Sequence, residues 1–311
     1  MKIKLPLIHR NKFESLFNEY AFNEIKLDNE NISSHWKKYM SKTLIKYNKV
    51  SDFIYIQPHG FDDFKKNNFL NNIINIPKYI YLKKHLNNLS NLVCEKMYES
   101  ISLQGRILTY NCLKNALTID YILKYNFNFN NYKVAIIGDG NGFLGILLKL
   151  LFPKIKIVQI NLGKILLFDF LFSANSKIFK NMDITNTYQD YKKSLDCNFI
   201  PAERIFNMNI DDIDFFFNIA SMGEMNPIII KKYFDFMRKQ KTKNTYFYCC
   251  NRVTKVLPDG TKTKFDDYDW LKKDKTYFNE ICKWYNYSPM SRPPFIKKFD
   301  GKFRHKLVKF K

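Results

Sequence analysis

Apolar residues in the second half of the chain alternate between short continuous runs and stretches with helical spacing. The short runs are rich in β-branched and aromatic residues, which is typical of buried parallel strands. Such runs occupy residues 134–137, 155–160, 197–200, 213–219 and 245–250. Helical spacing follows the first two runs, at 143–151 and 166–174. The alternation predicts an α/β fold with a mostly parallel, Rossmann-like sheet.

The first half of the chain has a different pattern. Helical spacing predicts helices over 80–100 and 110–125, and only residues 53–56 form a strand-like run. We therefore predict a mainly helical lid or substrate-recognition region over 1–125 and a nucleotide-binding domain over 126–311. Near the C-terminus the pattern predicts a helix over 270–285, and the alternating residues 303–310 predict a last strand.

The most informative stretch is YKVAIIGDGNGFLGILLKLLF, in which Gly138, Gly140 and Gly142 separate an apolar strand from a helix. Glycines at this point let the backbone turn sharply and approach a ligand closely. When the dinucleotide motif G-x-G-x-x-G is started at Gly138, the first glycine after the strand, it does not match, because Phe143 stands where the third glycine belongs. The in-phase spacing G-x-G-x-G is similar to the first motif of class I S-adenosylmethionine-dependent methyltransferases. A tight turn without a ligand is the alternative interpretation.

Asn161 follows the second predicted strand, where nucleotide-binding sheets usually carry an acidic residue that accepts hydrogen bonds from ribose hydroxyls. An asparagine can accept such a bond through its amide oxygen, without the strength that a charge adds. Asn218 and Ser221 emerge at the carboxyl end of the fourth strand, where open α/β sheets bind ligands, and Glu224 lies in the loop that follows.

Composition adds limits on partners and on location. The formal net charge of the 311-residue chain is +22, but its lysines are scattered. The residue types that the chain uses in excess, lysine among them, are encoded by A/T-rich codons, so a biased genome accounts for the lysines without nucleic-acid binding. We therefore favour a solvated basic surface over nucleic-acid binding and keep an anionic glycan or nucleotide sugar as a third interpretation. The six cysteines show no C-x-x-C spacing, and no apolar run reaches 18 residues. A cytoplasmic protein with reduced thiols and no membrane span is predicted.

The chain from about residue 132 onward resembles a family of sugar O-methyltransferases within the class I S-adenosylmethionine-dependent enzymes. The resemblance rests on VAIIGDGNGFLG, FFFNIASMGEMNP, FYCCNRVTKVLPDG with the following FDDYDW, and the terminal RHKLVKF. It implies a mostly parallel sheet with an antiparallel last strand. It also implies methyl transfer from S-adenosylmethionine to a sugar hydroxyl, in polysaccharide or natural-product assembly, and leaves a homo-oligomer open.

The candidate site residues are assigned on these grounds. We predict that the cofactor contacts Gly138, Asp139, Gly140, Asn141, Gly142, Asn161, Leu162, Pro201, Ala202, Asn218 and Ser221, and that the acceptor contacts Asn251 and Arg252. Glu224 is the first candidate for the general base and His305 the second. For Glu224 the alternative is a local hydrogen-bonded box with Ser221 that only stiffens the loop.

Two other classes of function, and a metal site, are weighed against this prediction. An NAD-dependent oxidoreductase is disfavoured by Phe143, by Asn161 and by the mid-chain position of the glycine loop. A basic nucleic-acid-binding or nucleic-acid-modifying protein is suggested by charge and aromatic content alone. Asp266, Asp267 and Asp269 could bind Mg²⁺, but a hydrated acidic loop is favoured, and no metal is predicted.

Overall fold

The structure is a computed structural model that describes residues 2–5, 10–21, 32–57, 68–289, 293, 296–299 and 301–311. Within these ranges an eight-stranded sheet has the order β12-β15-β9-β8-β4-β5-β7-β6. Its strands are β4 (Lys133–Ile137), β5 (Lys156–Asn161), β6 (Met182–Ile184), β7 (Cys197–Pro201), β8 (Phe215–Ile219), β9 (Tyr246–Arg252), β12 (Lys275–Ile281) and β15 (Phe303–Lys309).

The sheet is mostly parallel. The six strands from β9 to β6 pair in parallel, and β15 pairs antiparallel with both β9 and β12. The predicted α/β fold and the antiparallel last strand are therefore confirmed. Two antiparallel pairs lie outside this sheet, formed by β10 (Thr254–Val256) with β11 (Lys262–Lys264), and by β13 (Tyr287–Pro289) with β14 (Ile296–Lys298).

Helices cover both faces of the sheet, which explains why the central strands read as continuous apolar runs. Side chains alternate between the faces, so Val134 and Ile136 of β4 join one hydrophobic cluster while Ala135 and Ile137 join another. The first cluster includes residues of α5 (Asn91–Leu103), α6 (Tyr110–Leu123), α7 (Phe143–Leu151) and α8 (Gly163–Ser176). The second includes the apolar face of α9 (Pro227–Arg238).

The N-terminal part adds helices and a small sheet. Its antiparallel strands β1 (Lys2–Lys4), β2 (Leu44–Asn48) and β3 (Phe53–Gln57) have the order β1-β3-β2. Of these, only β3 is predicted by the pattern. The remaining helices are α1 (Arg10–Tyr20), α2 (Ser34–Met40), α3 (Phe69–Ile74) and α4 (Ile76–Leu86). Phe13, Leu16 and Phe17 of α1 belong to the same cluster as α8. The division of the chain at 125/126 stays a prediction.

Two elements predicted from the sequence are wrong, because the structure forms different elements there. The single helix over 80–100 is divided, because the chain leaves α4 at Leu86 and Ser90 begins α5 with its N–H and hydroxyl bonded to Asp120 Oδ1 of α6. The helix over 270–285 is instead strand β12. Pairing with β15 satisfies the backbone of β12, so a contact distant in sequence overrides the local spacing. No helix in the described ranges has the length and apolar character needed to cross a membrane.

Candidate functional site

The glycine loop joins β4 to α7 as predicted. Gly138, Gly140 and Gly142 have φ angles of +81°, +83° and +66°, a region that side chains rarely adopt. A Cβ at Gly138 would also lie 2.4 Å from Ser221 Oγ. Only glycine therefore allows the end of β4 to approach the loop that follows β8.

Two carboxylates hold this loop, one from Asp139 within it and one from the buried Asp169. Asp139 accepts hydrogen bonds from Leu144 N at 3.2 Å and Gly145 N at 3.0 Å, and so caps the first turn of α7. Asp169 of α8 accepts from Gly142 N at 2.9 Å. Burial raises the pKa of both carboxyls, that of Asp169 well above its usual range. The sequence analysis missed Asp169, whose only signal is one charge in the apolar run 165–174.

A cavity of about 130 Å³, here called cavity A, lies where β4, β5 and β7 end. Ala202 and Leu162 line it beside apolar side chains such as Ile160 and Tyr233. The predicted cofactor residues in its wall are Gly138, Asn161, Leu162, Ala202 and Ser221. Predicted cofactor residues from four separate parts of the chain thus meet in cavity A.

The amide of Asn161 is directed into the protein. Its Nδ2 donates to Asp169 Oδ2 at 2.8 Å, and its Oδ1 accepts from Leu162 N at 3.0 Å. Glu203, which the sequence analysis missed, lines the same cavity. Its Oε1 accepts from Gly163 N at 3.2 Å, while its Oε2 is buried without a hydrogen bond to any described residue. Burial raises the pKa of Glu203.

A second cavity of about 250 Å³, cavity B, adjoins the first. The two cavities share Trp36, Ile137, Gly138 and Ser221 in their walls. The predicted site residues that line cavity B are Gly138, Asp139, Asn141, Ser221, Glu224 and Arg252. A ligand in one cavity would therefore face a ligand in the other across the end of β4.

Glu224 stands at the edge of cavity B in a 3₁₀ turn, Met222–Glu224, after β8. Its Oε2 lies 3.2 Å from His35 Nε2 of α2, and its Oε1 lies 3.9 Å from Lys255 Nζ. Ser33 Oγ also donates to the Glu224 carbonyl at 2.5 Å. The local box between Ser221 and Glu224 does not form, because Ser221 Oγ donates to Ile137 O instead. His35 and Lys255 could not be found from the sequence, since neither lies near Glu224 in the chain.

Asn218 and Asn251 hold this turn in place instead of facing cavities A and B. Asn218 Nδ2 donates to Ile137 O at 3.0 Å and to Ser221 Oγ at 2.7 Å. Its Oδ1 accepts from Met222 N at 3.0 Å and from Asn251 Nδ2 at 2.8 Å. Asn251 Oδ1 in turn accepts from Gly223 N at 2.9 Å. The interpretation of both side chains as direct ligand contacts is corrected, because their polar atoms are already bonded within the protein.

His305 is placed in the hydrophobic core, away from both cavities. Its side chain is 1% exposed and packs against the rings of Tyr121, Phe278 and Trp284. Its Nε2 lies 3.3 Å from Glu280 Oε1, yet burial lowers the pKa of the imidazole to about 4. The interpretation of His305 as a general base is wrong, since its position in β15 directs it into the layer between sheet and helices.

Arg252 ends β9 at the wall of cavity B, with its guanidinium 5.7 Å from the ring centres of Phe299 and Phe303. Lys114 of α6 lines the same cavity, and its Nζ lies 4.5 Å from the ring centres of Tyr285 and Phe299. Two cations thus contribute positive charge to this wall. The sequence analysis found only the first of them.

The remaining predicted residues lie next to the cavities or outside them. Gly140, Gly142 and Pro201 shape the chain beside cavity A without forming its wall. Asp266 pairs with Arg304 at 2.5 Å. No cluster of three or more His, Cys, Asp or Glu side chains suited to a metal occurs in the part of the chain that the structure describes. The six cysteines are free thiols.

Comparisons with known proteins give a partial likeness of fold. No family model matches the chain, and no curated protein matches it. Among solved structures, the pyocyanin biosynthetic protein PhzM has a TM-score of 0.41 at 8% identity over 63% of this chain, which spans 56% of PhzM. TehB from Haemophilus influenzae has a TM-score of 0.42 at 16% identity over 62% of each chain. The mitomycin 7-O-methyltransferase MmcR has 0.40 at 10% identity, over 85% of this chain and 79% of its own. A likeness this partial does not indicate what the chain binds.

Proposed function

We propose that the protein is an S-adenosylmethionine-dependent O-methyltransferase that acts on a sugar hydroxyl. The observation that carries the proposal is the glycine loop, which leaves the central strand of a mostly parallel sheet with an antiparallel last strand and opens onto cavity A. This is the sheet that the sequence resemblance implies. The choice of a sugar as the acceptor rests on that resemblance alone.

The lining of cavity A supports a nucleoside-type cofactor. Gly138 and Ser221 bring two loops together beside it, and Leu162 and Ala202 supply apolar surface for a flat base. A buried carboxylate oxygen without a described partner, Glu203 Oε2, suits a ligand that carries hydroxyl donors. When bound, S-adenosylmethionine supplies a methyl group made electrophilic by its positive sulfur.

Glu224 is the group that we assign to proton removal. An acceptor hydroxyl in cavity B must lose its proton as its oxygen becomes a nucleophile, and a carboxylate at the cavity wall can accept it. His35 Nε2, 3.2 Å from Glu224 Oε2, fixes the orientation of the carboxylate. Trp36 lines both cavities and reduces the access of water to the reacting groups.

Arg252 could hold an anionic group of the acceptor in cavity B, whose wall carries two cations and two carboxylates, Asp139 and Glu224. Arg252 and Lys114 contribute two positive charges to its wall, and a guanidinium binds phosphate or carboxylate through paired donors. A nucleotide sugar or a uronic-acid unit carries such a group. Arg252 would then position the acceptor while Glu224 removes its proton.

The proposal is tested by isothermal titration of the purified protein with S-adenosylhomocysteine, with NAD and NADH as parallel controls. We expect binding of S-adenosylhomocysteine in the micromolar range and none of the dinucleotides, because Phe143 replaces the third glycine that dinucleotide sites use. Binding of NAD alone would contradict the proposal. Binding of none of the three by folded protein would contradict it as well.

A further inference from the structure

The position at the end of β5, where nucleotide-binding sheets usually carry a ribose-binding acid, has no carboxylate in this chain. In nucleotide-binding sheets an acidic residue at the end of the second strand accepts hydrogen bonds from ribose hydroxyls. Here the residue is Asn161, and its amide is occupied by Asp169 Oδ2 and Leu162 N at 2.8 and 3.0 Å. The side chain that should meet the ribose is therefore engaged elsewhere.

A carboxylate from the neighbouring strand lies beside that position. In the register of β5 and β7, Asn161 pairs with Pro201, and Ala202 N donates to Asn161 O at 2.8 Å. Glu203 therefore follows directly across from the end of β5. Its Oε1 accepts a hydrogen bond at 3.2 Å from the N–H of Gly163, the first residue of α8. The carboxylate is therefore held over the turn between β5 and α8, where other nucleotide-binding sheets carry the acidic residue.

The second oxygen of Glu203 indicates a ligand. Oε2 is buried and hydrogen-bonds to no described residue, and Glu203 is one of the residues that line cavity A. Arg204, the adjacent cation, is paired with Glu19. A buried carboxylate oxygen without a partner is costly, and such groups are rare unless a ligand or water completes them. Capping α8 needs only Oε1, so this role does not account for Oε2.

We infer that Glu203 is the ribose-binding carboxylate of this protein, supplied by β7 in place of β5. This inference rests on the proposed function. A ribose hydroxyl donates to Oε2 while Oε1 stays bonded to Gly163 N, so ligand binding satisfies the remaining buried acceptor. The bond is assisted by charge, which makes it one of the stronger polar contacts available to the ligand.

The test compares Glu203→Gln with wild type by isothermal titration, using S-adenosylhomocysteine and its 2′,3′-dideoxy analogue. In wild type we expect the dideoxy analogue to bind about 10- to 100-fold more weakly, as the loss of a charge-assisted hydrogen bond predicts. In Glu203→Gln the affinity for S-adenosylhomocysteine should fall by about the same factor. The affinity for the analogue should be unchanged, which a merely structural role would not produce.

The other outcomes separate the two proposals. If wild type binds both ligands with equal affinity, the inference about Glu203 is overturned. This measurement uses wild type alone, so it does not depend on whether the variant folds. Equal weakening of both ligands in Glu203→Gln overturns the inference too, because the side chain would then act away from the ribose. If wild type binds neither S-adenosylhomocysteine nor its dideoxy analogue, the proposed function fails and the inference fails with it. A thermal melt of the ligand-free variant shows that it is folded.

Discussion

At the scale of single residues, the chain contains two Glu–His pairs of similar geometry in different surroundings. His35 and Glu224 approach to 3.2 Å at the wall of cavity B, and His305 and Glu280 approach to 3.3 Å. The second histidine is enclosed by aromatic rings, and its pKa of about 4 keeps it neutral near neutral pH. Chemistry is therefore expected only from the pair that an acceptor can reach.

This contrast gives a matched pair of variants. Glu224→Gln should lower kcat for methyl transfer to a nucleotide sugar by about 10²- to 10⁴-fold, because the amide cannot accept the hydroxyl proton. Its affinity for S-adenosylhomocysteine should stay at the wild-type value. Glu280→Gln removes the carboxylate of the pair that lies outside both cavities and should leave kcat unchanged. A Glu224→Gln protein with nearly wild-type kcat would place the base elsewhere.

At the scale of elements, helix α2 closes the site from the N-terminal part of the chain. Ser33, just before the helix, donates to the Glu224 carbonyl, and His35 pairs with the Glu224 carboxylate. Trp36, the residue after His35, lines both cavities. The seven-residue helix α2 thus supplies both a partner for the proposed base and a side chain in the walls of the two cavities.

Helix α2 should consequently report ligand binding. The chain has three tryptophans, and Trp36 is the one that lines cavities A and B. Titration with S-adenosylhomocysteine should change the tryptophan fluorescence of wild type and of Trp270→Phe, because the indole of Trp270 donates to Phe265 O and lines neither cavity. The change should disappear in Trp36→Phe. Its persistence there would contradict the position of α2 over the site.

At the scale of the whole molecule, the excess of positive charge is spread along the chain and is not concentrated in one block. The chain has 51 Lys and Arg against 29 Asp and Glu, yet several lysines are used in ion pairs within the fold. Lys149 contacts Asp196 at 2.9 Å, and Lys12 contacts Asp183 at 3.0 Å. Such pairs position local structure and leave less charge available to a polyanion.

Duplex DNA and single-stranded RNA should accordingly bind weakly. We expect a Kd no tighter than about 10⁻⁶ M at physiological salt, the range of non-specific electrostatic binding. Fluorescence anisotropy with labelled oligonucleotides over a salt series measures it. A nanomolar Kd at that salt concentration would instead indicate a nucleic-acid substrate and would remove the argument for a sugar acceptor.

Local patterns in the sequence determined the central sheet and the glycine loop. The buried strands β4, β5, β7, β8 and β9 are short apolar runs, and burial on both faces makes such runs recognisable without any knowledge of contacts. The positive φ angles at Gly138, Gly140 and Gly142 require glycine, so the loop is also visible in the sequence. The position of Glu224 after β8 followed from the strand that precedes it.

Only the tertiary structure decided which polar side chains face a cavity. Asn218 and His305 are polar residues in predicted strands, but the first is bonded to neighbouring loops and the second is buried among rings. The pairing of His35 with Glu224, and the position of Glu203 beside Asn161, join residues that are distant in the chain. Strand β12 likewise forms through its ladder with β15. Periodicity records whether a side chain is buried, whereas hydrogen-bond partners depend on how separate elements pack, which no local pattern contains.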